Sequence, residues 1–253
     1  MNFKIFSFIL ISLLANGFGN DFQDPPAILT EQNNIKVFKK IKRFFKKGSF
    51  VYEIGSVDLP NGGIGFINGI NNSLKEAQRH AKRLSAYAGG IKISHVYNAT
   101  HSSPVDVATS ILEKCGVKMP PIEILRDQWE DFIATHSPEA MFLQICHSQG
   151  ALHVKNALLA SSQAVRDRII VLAIAPVAII SKDICHASAN YASMGDFVSL
   201  LDIQGRDLYS EELVFLEPHA DAPRWDHNFN SPTYQSILQD HITTFINTCK
   251  SLS

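Results

Sequence analysis

The sequence contains few cysteines and lacks several patterns that would indicate a cofactor site. The four cysteines, at positions 115, 146, 185 and 249, are dispersed and form no Cys-x-x-Cys pair. They therefore indicate neither a zinc site nor a disulfide framework, and buried thiols are the simplest interpretation, with one or two bridges left open if the protein is exported. No Gly-Lys-Ser/Thr follows the glycine-rich stretch 62–65, which excludes a phosphate-binding loop there. No internal repeat is present.

The net charge of the whole chain is close to zero, but the charges are distributed unevenly along it. The chain carries 23 Lys+Arg and 24 Asp+Glu, a net charge of -1. Residues 36–47 hold seven Lys or Arg and no acid, whereas residues 48–253 hold 15 basic and 21 acidic residues. The acidic body argues against nucleic acid as a partner. With 45% hydrophobic and 19% charged residues, the chain is predicted to form a globular core.

The N-terminus has the layout of a secretory signal peptide, which we assign to residues 1–17. Lys4 precedes an apolar run at 5–15 that is shorter than the roughly 20 residues of a bilayer-spanning helix, and Ala15 and Gly17 are small residues at a spacing that signal peptidase accepts. An uncleaved membrane anchor and a buried segment are the alternatives. Residues 18–35 resemble a linker. An exported or membrane-associated location is expected, and a cytoplasmic location is the alternative.

Residues 36–47 form a basic, phenylalanine-rich segment, called the basic arm below. Its apolar residues share one face of a predicted helix, and every other position is Lys or Arg. This pattern is typical of a helix that lies on an anionic membrane surface. A helix docked on the domain with solvated charges, and a helix that binds nucleic acid or another protein, are the alternatives.

The body of the chain, residues 48–253, alternates short apolar runs with helical patterns, which predicts one α/β domain. The runs at 140–146 and 169–175 are almost wholly apolar, as expected of buried central strands in a parallel sheet. The other strands are predicted at 50–57, 63–67, 91–97, 187–193 and 213–216. Helices are predicted at 73–87, 105–114, 122–135, 149–160 and 232–247.

The segment Cys-His-Ser-Gln-Gly at 146–150 follows a predicted buried strand and precedes a predicted helix. A serine between small residues at this junction indicates a nucleophile elbow, in which the backbone at the serine is strained and larger neighbours would collide. Gly150 fits this requirement, whereas Cys146 departs from the usual glycine. We therefore predict Ser148 as a nucleophile; an ordinary N-cap serine is the alternative.

An acyl-transfer site also needs backbone N–H groups directed at the developing oxyanion. Gln149, at the start of the helix, can supply one. The loop after the strand at 63–67 can supply the second, from Gly69 or Ile70, since the glycine allows close approach of the backbone. A plain turn capped by Asn72 is the alternative.

The acid and the base are expected after the serine along the chain, each beyond a later strand. Asp196 follows the strand at 187–193 and is the preferred acid, with Asp202 and Asp183 as rivals. His227 lies after the last strand and shortly before the final helix, so it is the preferred base, and His219 is the alternative base.

These residues resemble the α/β-hydrolase lipases and esterases. Ile-Cys-His-Ser-Gln-Gly-Ala is similar to their Gly-His-Ser-Gln-Gly elbow, Gly-Asp-Phe-Val at 195–198 to their acid segment, and Asp-His at 226–227 to their histidine segment. The resemblance implies an α/β-hydrolase-like fold, a mostly parallel central sheet with helices on both faces. Over residues 50–245 the amino-acid sequence also resembles an uncharacterised family from chlamydial intracellular bacteria. The segment Asp-His-Asn-Phe-Asn-Ser-Pro-Thr-Tyr at 226–234 is part of this resemblance.

The sequence thus predicts a serine hydrolase of the lipase/esterase type. The resemblance implies Ser148 as nucleophile, His227 as base and Asp196 as acid, acting on a small-molecule or lipid ester without metal or other cofactor. The alternatives are a non-catalytic exported protein that uses the fold as a binding scaffold, and an acyltransferase or thioesterase with the same triad.

Overall fold

The computed structural model of the chain describes residues 49–70, 72–99, 120–196 and 210–252. The predicted signal peptide, linker and basic arm, the predicted helix at 105–114 and the rival acid Asp202 lie outside these residues. Within them, no helix is both long enough and apolar enough to cross a bilayer.

The described residues form a seven-stranded sheet in the order β1-β3-β2-β4-β5-β6-β7. Only β1, an edge strand, is antiparallel to its neighbour β3; the other pairs are parallel. The strands are β1 Phe50–Ile54, β2 Gly62–Ile67, β3 Ile93–Tyr97, β4 Met141–His147, β5 Ile169–Ile174, β6 Ala187–Ser193 and β7 Leu213–Leu216.

Helices cover both faces of this sheet. The helices are α1 Leu74–Tyr87, α2 Pro120–Thr135, α3 Gln149–Leu159, α4 Gln163–Arg166 and α5 Gln235–Ser251. One apolar cluster packs α2 and α3 on one face, and a second packs α1 and α5 on the other. Alternate residues of β4 supply the two clusters, Phe142 and Cys146 to the first and Leu143 and Ile145 to the second. The expected mostly parallel sheet with helices on both faces is confirmed.

Most predicted elements agree with the structure to within a few residues, and two differ in an informative way. Helix α2 begins at Pro120 rather than after the two prolines, because a proline in the first turn loses no helical hydrogen bond. The final helix begins at Gln235, since residues Pro232–Tyr234 form a separate 3-10 turn. Ser73 caps α1 with a capping box to Glu76, as its Ser-x-x-Glu spacing favours.

Candidate active site

Ser148 occupies a strained turn between β4 and α3. Its backbone has φ 53° and ψ -122°, a left-handed conformation that is rare for a residue with a side chain. Although it stands at the N-cap position, its side chain makes no capping hydrogen bond. Gly150 permits the turn, because a Cβ there would lie 2.9 Å from the carbonyl oxygen of Ile67 on β2. The local geometry is that of a nucleophile elbow rather than of an ordinary cap.

Cys146 does not prevent this turn, despite replacing the usual glycine. Its side chain is fully buried in the apolar cluster beneath α2 and α3, with Sγ 3.8 Å from the carbonyl oxygen of Leu172. Burial raises the pKa of its thiol well above the ordinary range, so the group stays a neutral thiol. Cys185 and Cys249 are also buried and unpaired, in line with the interpretation of the cysteines as buried thiols.

His227 bridges Ser148 and Asp196. Its Nε2 lies 2.9 Å from Oγ of Ser148, and its Nδ1 lies 2.9 Å from Oδ2 of Asp196. The Asp196 carboxylate can only accept, so we assign the proton to Nδ1, which leaves Nε2 as an acceptor for the serine hydroxyl. Asp196 is 2% exposed, and this burial strengthens its interaction with the imidazole.

The alternative acid and base lie elsewhere. Nδ1 of His219 accepts a hydrogen bond from the backbone N–H of Asp221, 3.1 Å away, and the side chain is half exposed. Asp183 is exposed in the 3-10 turn Lys182–Ile184, where its backbone N–H donates to Ser181. The structure therefore brings Asp196 and His227 to Ser148, and leaves His219 and Asp183 in their own turns.

His147, next to Ser148, holds the loop that carries His227. Its Nε2 donates to the carbonyl oxygen of His227 at 2.8 Å, and the two rings lie 5.2 Å apart. Burial lowers the pKa of His147 to about 3, so the ring is neutral. This contact cannot be predicted from the sequence, since nothing in the local pattern shows which backbone atom the ring reaches.

A second tie joins the acid turn to the same loop. The hydroxyl of the buried Tyr234 accepts the backbone N–H of Ser193 at 2.9 Å and donates to the carbonyl oxygen of Asp226 at 3.0 Å. Ser193 begins the turn that leads to Asp196, and the backbone N–H of Asp196 donates to the carbonyl oxygen of Ser193. Asp226 directly precedes His227. One phenol thus connects the two segments that present the acid and the base.

The predicted oxyanion segments both lie next to Ser148. A Cβ added to Gly69 would be 2.7 Å from Cβ of Ser148 and 2.9 Å from Nδ1 of His147, so the backbone at Gly69 lies directly against Ser148. Gln149 starts α3 immediately after it. Among the described residues, no group of three or more His, Cys, Asp or Glu could hold a metal ion.

Solved structures with a similar architecture include several esterases. Est1E from Butyrivibrio proteoclasticus has 12% identity and a TM-score of 0.47, with 80% of this chain and 95% of that chain covered. Carboxyl esterase 2 from the fungus Tuber melanosporum has 11% identity and a TM-score of 0.49, with 78% and 81% covered. The Trichoderma reesei cutinase has 10% identity and a TM-score of 0.44, with 97% and 98% covered. At these identities the likeness carries nothing about activity.

The sequence itself matches no curated protein. It does match a family model over residues 55–215, which is more than half of the chain and includes the elbow and the acid turn. The family description names no organism, so the likeness to a chlamydial family stays a resemblance. On this match, the chain belongs to the family described as Protein of unknown function (DUF687).

Proposed function

We propose that the protein is a serine hydrolase that cleaves an ester through an acyl-enzyme. One observation carries the proposal: Asp196, His227 and Ser148 form a continuous hydrogen-bonded chain, both contacts being 2.9 Å, and it ends at a serine with φ 53°. A buried carboxylate, an imidazole and a hydroxyl in this order form an acyl-transfer triad.

Each residue has a separate chemical task. Oγ of Ser148 attacks the ester carbonyl carbon while Nε2 of His227 takes the hydroxyl proton. Asp196 keeps the proton on Nδ1 and stabilises the imidazolium that forms. His227 then gives the proton to the leaving alcohol, which departs and leaves an acyl group on Ser148. A water then attacks the acyl carbon while the same imidazole takes its proton. The bond to Oγ breaks, the acid leaves, and the imidazolium returns the proton to Oγ of Ser148.

The developing oxyanion would be bound by backbone N–H groups of Gln149 and of Gly69 or Ile70. Support for this part comes from the close approach of Gly69 to Ser148 and from the position of Gln149 at the first turn of α3. The positive end of the helix dipole at Gln149 adds to the stabilisation of negative charge. A donor of this kind typically contributes about 100-fold to 1,000-fold in kcat.

The substrate is proposed to be a lipid ester presented at a membrane surface. Met194, 61% exposed, and Trp225, 63% exposed, are close in sequence to Asp196 and His227. The exposed Phe50 begins β1 and is paired with Tyr97, the last residue of β3. It therefore lies at the end of the sheet where the parallel strands β4 and β6 also finish. The basic arm, residues 36–47, precedes this strand. Exposed apolar side chains at one end of the sheet, together with a basic segment that precedes β1 in the sequence, suit an anionic bilayer.

Under this proposal the protein acts as an exported or membrane-associated enzyme, and vesicle sedimentation tests the surface. The full chain should bind vesicles that contain anionic phospholipid and lose binding when residues 36–47 are deleted. Binding should also weaken as salt is raised, because screening shortens the range of the charges. Equal binding by the two proteins would contradict the role of the basic arm and leave the triad proposal untouched.

Labelling with a fluorophosphonate probe tests the catalytic proposal. The wild-type protein should form a covalent adduct that Ser148→Ala abolishes and His227→Ala slows by about 1,000-fold or more, because the nucleophile then lacks its base. His219→Ala is the matched control and should label at the wild-type rate. A folded wild-type protein without any Ser148-dependent adduct would contradict the proposal and favour a non-catalytic binding scaffold.

A further inference from the structure

The two proposed oxyanion segments come from different strands, so their separation needs a physical cause. Gly69–Ile70 follows β2, and Gln149 follows β4 through Ser148. The two strands are paired side by side, but their last paired residues are Ile67 and Cys146. Beyond that pair the strand ladder no longer sets the distance between the segments. Donors must lie about 2.7–3.1 Å from the oxyanion, so a small drift of either segment would weaken its stabilisation.

Asn68 anchors the first segment through four hydrogen bonds. Its Oδ1 accepts from the backbone N–H of Asn98 at 2.9 Å and from Nε2 of His95 at 3.1 Å. Its Nδ2 donates to the carbonyl oxygens of Gly69 at 2.9 Å and Asn98 at 3.0 Å. Because a backbone N–H can only donate, the first contact settles which atom of the amide is oxygen. Asn68 is fully buried.

Asn98 extends this network to the second segment. Its Nδ2 donates to Oε1 of Gln149 at 2.9 Å and to the carbonyl oxygen of Asn68 at 3.5 Å. The side chain of Gln149 is 3% exposed, and its backbone N–H is one of the proposed donors. The loops after β2 and β3 and the first residue of α3 are therefore joined by two buried amides.

His95 and Tyr52 support the network from behind. Since Nε2 of His95 donates to Asn68, Nδ1 is the acceptor and receives the Tyr52 hydroxyl at 2.6 Å. Burial lowers the pKa of His95 to about 3, so this neutral tautomer persists at neutral pH. A buried network with all of its members paired is rigid, because moving one group leaves another without a partner.

We propose that Asn68 and Asn98 are positioning residues that set the separation of the Gly69–Ile70 and Gln149 backbone segments. Neither side chain touches the substrate in this proposal, which rests on the proposed hydrolase function. They act on the transition state, because the tetrahedral oxyanion needs both donor segments at once while a planar ester does not.

Two substitutions break the same contact from opposite sides. Asn98→Ala removes the donor to Gln149, and Gln149→Met removes the acceptor while keeping the backbone N–H. With a p-nitrophenyl acyl ester, each should lower kcat by about 10-fold or more and change KM by less than about 2-fold. A boronic acid inhibitor, whose serine adduct is tetrahedral, should bind each variant about 10-fold more weakly.

The double variant separates positioning from stability. Asn98→Ala with Gln149→Met removes both polar partners, so its melting temperature should recover relative to Asn98→Ala. Its kcat should stay as low as that of either single variant, because all three lack one contact. A purely structural role predicts that kcat recovers together with the melting temperature, and this outcome would overturn the proposal.

Asn190→Ala is the matched control. Asn190 is also fully buried and also ties backbone segments, accepting from the N–H of Ile180 and donating to the carbonyl oxygens of Ile180 and Glu212, at 3.0, 3.0 and 3.2 Å. It should lower the melting temperature with kcat unchanged.

The inference would be overturned by an equal loss of kcat in Asn190→Ala, or by no loss of kcat in Asn98→Ala and Gln149→Met. Labelling of Ser148 in the wild-type protein would still uphold the proposed hydrolase function in either case. No labelling at all would overturn both.

Discussion

Gly69 shows at the scale of one residue how closely the two sides of the candidate site are packed. The nearest atoms to an added Cβ would be Cβ of Ser148 at 2.7 Å and Nδ1 of His147 at 2.9 Å, and neither can retreat easily. Ser148 belongs to the strained turn, and His147 is held by its hydrogen bond to the carbonyl oxygen of His227. A methyl group here would therefore push the Gly69–Ile70 segment away from Ser148.

We expect Gly69→Ala to lower kcat for an ester by about 100-fold, because a displacement near 1 Å at a reacting centre has an effect of this size. Gly63→Ala is the control. Gly63 lies near the start of β2, the strand that precedes Gly69, and its added Cβ would clash with Phe142 at 2.7 Å, far from Ser148. Steady-state kinetics on both folded variants checks this. Similar kcat values in the two would mean that Gly69 matters only for packing.

At the scale of elements, the turn after β6 that carries Asp196 and the loop after β7 that carries His227 are joined by side chains as well as by the pairing of β6 with β7. Tyr234 bonds to both segments, and His147 bonds to the base loop from the nucleophile side. The positions of Asp196 and His227 relative to Ser148 therefore depend on residues other than these three.

Tyr234→Phe removes one hydroxyl and little volume, so it tests this dependence directly. We expect a loss of about 1 kcal/mol in the free energy of unfolding, the usual size for one buried hydrogen bond. We also expect a roughly 10-fold slower reaction of Ser148 with a fluorophosphonate, because the Asp196–His227 contact is loosened. Tyr191→Phe loses its bond to Nε2 of His241, 2.9 Å away, and should keep the wild-type labelling rate. Equal rates in all three proteins would show that the hydroxyl does not position the triad.

At the scale of the whole molecule, three buried histidines couple stability to pH. Desolvation is the main cause that lowers the pKa of His80 to about 4 and those of His95 and His147 to about 3, from an ordinary value of 6.5. Between about pH 6.5 and pH 4 the unfolded chain therefore binds more protons than the folded one. The stability that the neutral form of these histidines contributes is fully present above pH 6.5, and it is lost as the pH falls through this window.

The free energy of unfolding should fall between pH 7 and pH 5 by up to about 2 kcal/mol for each of these histidines. His80→Phe should reduce that loss by about 2 kcal/mol, because phenylalanine takes up no proton and the site already packs against Phe66 and Phe229. Urea unfolding at the two pH values measures the difference. His186→Phe, at an exposed position, should leave it unchanged. An unaltered loss in His80→Phe would exclude His80 as a source.

The sequence predicted the elements well because their signals are local. The apolar runs of β4 and β5, the periodicity of α1 and the elbow at Ser148 can all be recognised within a window shorter than one element. The short helix α4 was not predicted. The errors fell mainly at the ends of elements: Pro120 opens α2, a 3-10 turn precedes α5, and β1 ends at Ile54 rather than at residue 57. Such boundaries depend on how the chain packs as well as on residue type.

The amino-acid sequence by itself determined the α/β arrangement, the elbow and a short set of candidate acids and bases. Only the tertiary structure decided that Asp196 and His227, rather than Asp183 and His219, lie at Ser148, and that Asn68 and Asn98 join the two backbone segments beside it. The reason is physical: these groups follow different strands, so their distances depend on strand order and on buried hydrogen bonds between loops, which no local pattern of residues specifies.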